Sequence, residues 1–111
     1  MIIPVVLTKN EERFIRACLT PLSKVFPVVI VADTGSTDNA LEIMATIPNL
    51  HMMYYNHPDM ELVGKIRGYM AWTAKQMGAT HVWQIDGDEI YSTKYLRYIL
   101  DNPMPEGMLA G

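Results

Sequence analysis

The sequence predicts an α/β fold: a mostly parallel sheet with helices on both faces. Three observations carry that expectation. Short apolar, β-branched runs alternate along the chain with stretches whose apolar residues recur at helical spacing. One run, Val28-Val29-Ile30-Val31-Ala32, is apolar without a break, the pattern of a parallel strand covered on both sides. Polar clusters follow three of the runs, at Thr8 to Glu12, Asp33 to Asp38 and Asp86 to Glu89. Parallel sheets bind ligands there, beyond the carboxyl ends of their strands.

In chain order, Ile2 to Leu7 reads as a first buried strand, with Pro4 suggesting a strand start or a sheet edge. Asn10 is a suitable N-cap for the helix that follows, and Glu11 and Glu12 suit its dipole. Ile15, Cys18, Leu19 and Leu22 form its apolar face, and Pro21 and Pro27 are expected to close it. After the Val28–Ala32 strand, Gly35 permits a sharp turn and Ser36 or Thr37 can cap a short helix. Asp38 stands in that helix's first turn, Leu41, Met44 and Ala45 form its apolar face, and Pro48 stops it. Leu50 to Tyr55 is a less regular strand, and Asn56-His57-Pro58-Asp59 a loop. From Glu61 the helical period returns, with Leu62, Ile66, Tyr69, Thr73 and Met77 on one stripe and Gly78 at C′. His81 to Ile85 is the next strand. Ser92 caps a last helix carrying Tyr95, Leu96, Ile99 and Leu100, which Asn102-Pro103 and Pro105 end.

With 111 residues the chain is expected to form a single domain, 1–111, and 50% hydrophobic against 19% charged residues permits a packed core. A net charge of −3 leaves no basic footprint, which argues against nucleic acid as the main partner. Cys18, the one cysteine, rules out an intrachain disulfide and is expected as a small core residue in a reducing compartment. No apolar stretch is long enough to span a bilayer, and no basic region precedes the first apolar residues as in a signal peptide. A cytoplasmic location, peripheral to a membrane at most, is the expectation. His51, His57 and His81 share no ligand spacing, and the nine methionines are expected as core fillers. Trp72 and Trp83 are expected in packing, with the ligand pocket as the other place for them. Gln84, inside a strand, needs a hydrogen-bond partner if buried.

The stretch with the most chemistry is Asp86-Gly87-Asp88-Glu89. Three carboxylates crowd four positions at a strand's carboxyl end. On an extended chain Asp86 and Asp88 point the same way, and Gly87 leaves room for a close approach. Their mutual repulsion is relieved by a divalent cation, and an all-oxygen donor set suits Mg²⁺ or Mn²⁺ better than Zn²⁺. The plain alternative is a solvated acidic turn.

Four pieces of sequence, in order, resemble one family. Val5-Val6-Leu7-Thr8-Lys9-Asn10-Glu11-Glu12 is similar to the first strand and Asn-Glu-Glu loop of the family-two glycosyltransferases. Val31-Ala32-Asp33-Thr34-Gly35-Ser36-Thr37-Asp38-Asn39 is similar to their second-strand motif. Gly64-Lys65-Ile66-Arg67 resembles their basic segment, and Asp86-Gly87-Asp88 falls at their Asp-any-Asp metal motif. The resemblance spans almost the whole chain. It implies a Rossmann-like GT-A nucleotide-binding sheet, truncated here to the donor-binding half. It further implies an inverting, metal-dependent transfer from a nucleoside-diphosphate sugar, with a UDP-sugar favoured, to an unknown acceptor hydroxyl.

Residue by residue, the resemblance places Thr8 beside the nucleobase with Asn10 and Glu12 nearby. Asp33 would accept a hydrogen bond from the base, and Arg67 and Lys65 would face base or diphosphate. Asp86 would approach ribose or metal, and Asp88 would hold a Mn²⁺ or Mg²⁺ ion on the diphosphate. Thr34 and Gly68 depart from the family, which often has Asp and Asn there. The family's catalytic base lies well downstream of the metal motif, so it is expected beyond Gly111, and Glu106 is a poor substitute. A sheet cut short would leave an exposed edge, so self-association into a homo-oligomer is a further expectation.

Two other readings compete. Asp33-Thr34-Gly35-Ser36 is also an aspartic protease signature, in which Asp33 from two chains would share a proton. A helical pattern follows the motif, however, where that fold requires strands. The other is a non-catalytic α/β nucleotide-binding or interaction module whose acidic rim is surface. A sugar-nucleotide pyrophosphorylase lacks support, because no glycine-rich phosphate loop opens the chain.

Overall fold

The computed structural model describes residues 1–102. Its elements run β1 (Ile2–Thr8), α1 (Ile15–Val25), β2 (Val29–Asp33), α2 (Ala40–Met44), β3 (Leu50–Tyr54), α3 (Met60–Gln76), β4 (His81–Asp86) and α4 (Thr93–Asp101). The strands form one sheet in the order β3-β2-β1-β4, with every neighbouring pair parallel. The α/β expectation holds, and "mostly parallel" sharpens to four parallel strands.

Period-two alternation divides the core into two layers. Ile2, Val6, Val29, Val31, Trp83 and Ile85 face one way, where Ile15, Cys18, Leu19 and Leu22 of α1, Met44 of α2 and Leu96 of α4 cover them. Ile3, Val5, Ile30 and Ala32 face the other way, against Ile66, Met70 and Ala74 of α3. Burying each such aliphatic side chain contributes on the order of 2 kcal/mol, which explains why the strands read so clearly from their apolar runs.

Several local expectations are corrected. Pro4 lies within β1, a central strand, paired in register with Trp83. The sheet forgoes one ladder donor there. Pro21 sits inside α1 rather than ending it, at the cost of one intrahelical hydrogen bond. Asn10 caps no helix: α1 starts later, with Phe14 at its N-cap and no side-chain cap. Nor do Ser36 or Thr37 cap α2, whose N-cap is Asn39. Leu41 and Ala45 are exposed, so Ala40, Met44 and Ile47 make that element's buried contact. On α3 the buried line runs Ile66, Met70, Ala74, while Tyr69 and Met77 face solvent. Asp59, read as loop, is the N-cap of α3 and accepts from Leu62 N–H at 2.8 Å. Ser92 caps α4 as expected, accepting from Tyr95 N–H at 3.1 Å, but Tyr95 and Leu100 are exposed and Leu96 alone is fully buried. Pro103, Pro105 and Glu106 lie outside the described residues. Among the described residues no helix is long and apolar enough to cross a membrane.

The topology fixes where a ligand can sit. From β1 the chain moves through α1 to β2 and β3 on one side, then returns through α3 to β4 on the other side of β1. The carboxyl ends of β1 and β4 therefore flank the point where strand order reverses. The loops leaving those ends lead to α1 and α4, which both pack on the same face of the sheet, and the crevice lies beyond the strand ends.

Candidate functional site

A cavity of 340 Å³ occupies that crevice, lined by Leu7, Thr8, Lys9, Glu11, Thr34, Asp86, Gly87 and Asp88. Register explains the meeting. Leu7 pairs with Asp86 and Thr8 with Asp33, so three strands end level with one another. Beyond the pairing, Gly87 N–H donates to Leu7 O at 3.2 Å, and Thr34 N–H donates to Thr8 O at 3.0 Å.

Thr8 is 3% exposed, and its hydroxyl oxygen has no hydrogen-bond partner among the described residues. A buried hydroxyl without a partner carries a desolvation cost of about 1–3 kcal/mol. It lines the cavity, where a ligand atom can supply the missing bond. Gly87 is required beside it. A Cβ there would stand 2.5 Å from Thr8 Oγ1 and 2.9 Å from Thr8 Cβ.

The three carboxylates of the acidic turn have different surroundings. Asp86 ends β4, but Gly87 and Asp88 form a turn closed by Glu89 N–H donating to Asp86 O at 3.0 Å. The extended-chain argument for pairing Asp86 with Asp88 is therefore corrected: a turn, not strand alternation, brings both to the cavity. Asp86 Oδ1 accepts from Arg67 Nη2 at 3.4 Å, and Arg67 Nη1 donates to Gln84 Oε1 at 3.3 Å. Glu89 Oε2 accepts from the Tyr91 hydroxyl at 2.9 Å. Tyr91 itself lies tilted against Trp83, ring centroids 5.1 Å apart, and stacks on Tyr95 at 5.7 Å. No hydrogen bond or ion pair among the described residues engages the exposed Asp88 carboxylate. Part of the crowding is thus relieved by protein groups, and Asp88 is left facing the cavity.

Cys18 lies beneath this rim, with Sγ 3.8 Å from Asp86 O. Burial, and then the negative charges of Glu89, Asp88, Asp86 and Glu11, push its thiol up to about 12. Burial and the bond to Glu89 likewise push Tyr91 up to about 12.

The other expected site residues brace the rim. Asn10 takes a left-handed backbone, φ 53°, which Asn tolerates better than most residues. Its Oδ1 accepts from Thr37 N–H at 2.7 Å and Asp38 N–H at 3.3 Å, while its own N–H donates to Ser36 Oγ at 2.9 Å. Glu12 N–H donates to Asp38 Oδ2 at 3.1 Å, and Glu12 Oε2 accepts from Asn39 N–H at 3.4 Å. Asp33 is buried, and its carboxylate accepts from the N–H groups of Gly35 and Ser36, at 3.1 and 3.0 Å, and from the Ser36 hydroxyl. Those bonds hold the turn at Gly35, whose φ of 108° and closeness to His57 leave no room for a side chain. Lys65 is exposed and pairs with Glu61 at 3.6 Å, apart from the cavity lining.

The structure therefore gathers Thr8, Asp86 and Asp88 on one cavity and sets Arg67 behind Asp86. Asn10 and Glu12 lie in the loop after β1, and Asp33 ends β2 and holds the turn that follows it. Sequence reasoning missed Leu7, Lys9, Glu11 and Thr34 as lining residues. Thr34 was detectable from its place one residue beyond a strand end. Asp33 ends a parallel strand between helices, which is not the all-β setting that the aspartic protease reading requires. No family model matches the chain, and no curated protein matches it either.

The donor set also bears on a cation. Among the described residues no group of three or more His, Cys, Asp or Glu is arranged to hold a metal. Two carboxylates on one cavity fit a Mg²⁺ or Mn²⁺ ion that takes its remaining oxygens from water and substrate phosphates. They do not fit a closed all-protein cage.

Proposed function

We propose that this chain is the donor-binding domain of a metal-dependent glycosyltransferase, holding a nucleoside-diphosphate sugar, a UDP-sugar above all, for transfer to an acceptor hydroxyl. The observation that carries the reading is the cavity at the reversal of strand order, where the unpartnered Thr8 hydroxyl, the Gly87 close approach and the Asp86 and Asp88 carboxylates converge. The ordered resemblance to family-two glycosyltransferases supports it independently.

In this reading Asp86 and Asp88 would hold a Mn²⁺ or Mg²⁺ ion, which offsets charge on the leaving nucleoside diphosphate as the sugar–phosphate bond breaks. Thr8 donates from its hydroxyl to a ligand acceptor at the cavity floor. The braces from Asn10 and Glu12 keep the loops beyond β1 and β2 in place before the donor arrives, so little ordering cost falls on binding. Calorimetric titration of UDP tests the reading. Heat of binding with Mn²⁺ present that vanishes with excess chelator is the expected result. A folded sample that binds neither UDP nor another nucleoside diphosphate, with or without metal, would overturn it in favour of a non-catalytic interaction module.

A further inference from the structure

Asp86 stands between two claimants. On one side the Arg67 guanidinium reaches its Oδ1 at 3.4 Å, anchored by a second bond to Gln84 at 3.3 Å. On the other side the carboxylate lines the cavity in which the buried Thr8 hydroxyl has no partner among the described residues. Gln84 and Asp86 lie two apart on β4 and so project to the same side, which lets one α3 side chain span both.

We propose that Arg67 is a positioning residue that makes cation binding at Asp86 conditional on an anionic diphosphate; the inference rests on the reading of this cavity as a nucleoside-diphosphate site. With no anion present, Arg67 neutralises Asp86, and a bare dication must approach a carboxylate already paired with a positive charge. A diphosphate brings negative charge that both cations can share, so the penalty disappears and cation and diphosphate favour one another. Such coupling is reciprocal: whatever factor the diphosphate adds to cation affinity, the cation adds to diphosphate affinity.

The test measures Mn²⁺ binding by electron paramagnetic resonance, with and without saturating UDP, in wild type, Arg67→Met and Arg67→Lys, each checked for folding by circular dichroism. Arg67→Met is expected to bind Mn²⁺ alone roughly two- to fivefold more tightly than wild type, the range that an exposed ion pair spans. The enhancement of Mn²⁺ affinity by UDP should shrink in the same variant. Arg67→Lys keeps the charge and should bind Mn²⁺ alone as weakly as wild type. If Arg67→Met does not fold, Arg67→Gln takes its place. A neutral variant that binds Mn²⁺ alone no more tightly than wild type overturns the coupling while leaving the site reading intact, provided wild type binds UDP with Mn²⁺. A wild type that binds neither overturns both.

Discussion

Thr8 and Gly87 meet across the paired ends of β1 and β4 so closely that a Cβ at position 87 would lie 2.5 Å from the Thr8 hydroxyl oxygen. Thr8 belongs to a central strand and cannot retreat. Gly87→Ala should therefore force the strand ends apart, costing about 1–3 kcal/mol as overpacking does. In a domain of this size that lowers Tm by several degrees, at about 4–8 °C per kcal/mol. UDP affinity should fall with it, because the same contact shapes the cavity. An unchanged melting curve for Gly87→Ala would show that the approach is looser than described.

Thr8→Val separates ligand binding from stability. The hydroxyl has no partner to lose among the described residues, and replacing an unsatisfied buried polar group by a methyl of similar shape is close to neutral or stabilising. Tm should hold or rise slightly, while UDP affinity with Mn²⁺ drops by about 1 kcal/mol, the usual net value of one hydrogen bond. Loss of stability with full binding would assign Thr8 to the core alone.

The two acidic sites should respond in opposite ways. Asp88 is exposed and takes part in no hydrogen bond or ion pair among the described residues, so Asp88→Ala should leave Tm unchanged and abolish the metal dependence of UDP binding. Asp33 is buried and holds two backbone N–H groups and a hydroxyl. Asp33→Ala should cost about 2–3 kcal/mol through those orphaned donors. Thermal denaturation with parallel titration of each variant checks both, and a stable Asp33→Ala with weakened binding would favour the base-contact role that the resemblance implies.

These contrasts show what the sequence carried and where it stopped. β1 and β2 were legible because burial on both faces demands unbroken apolar runs, and the acidic turn because topology places polar clusters at strand ends. On α3 the pattern failed after Ile66, where Tyr69 and Met70 both continue a helical stripe and only packing against the sheet selects Met70. Asn10 suits a helix cap and a left-handed loop equally well, and local sequence does not choose between them. The partners of Gln84 and Asp86 come from α3, 17 and 19 residues earlier, and the Thr8–Gly87 contact follows from β1 pairing with β4. Both are consequences of tertiary structure.

Alkaline pH should weaken the fold through Cys18. Burial and the surrounding carboxylates raise its thiol from 9.0 to about 12. An unfolded chain loses that proton near 9.0 and the folded chain does not until about 12, so between those values the unfolded state binds fewer protons. The thiol's contribution is full below 9.0 and is lost progressively as pH rises through the window. Tyr91, raised from 10.0 to about 12, acts in the same direction. Denaturant midpoints should fall with pH across this range, and Cys18→Ala should flatten the decline. The native thiol should also resist alkylating reagents, since the thiolate is the reactive form; rapid labelling of folded protein at neutral pH would contradict the buried placement.

Asn10 offers the sharpest distinction between a brace and a ligand contact. Its side-chain oxygen holds the N–H groups of Thr37 and Asp38 across a separation of 27 and 28 residues, tying the loop after β1 to the loop after β2. Asn10→Gly keeps the backbone at φ 53° accessible but removes the acceptor. It should therefore cost about 1–2 kcal/mol, the upper range for losing a side chain that satisfies backbone donors. The amides of Thr37 and Asp38 should then exchange with solvent faster while core amides of β1 and β2 keep their protection, because the loss is local. Asn10→Asp retains an acceptor and should preserve that protection. UDP affinity should fall in Asn10→Gly only as far as loop ordering must be supplied by the ligand. If instead Asn10→Gly left amide exchange and Tm untouched and reduced UDP binding alone, the side chain would act on the ligand rather than on the loops that shape its cavity.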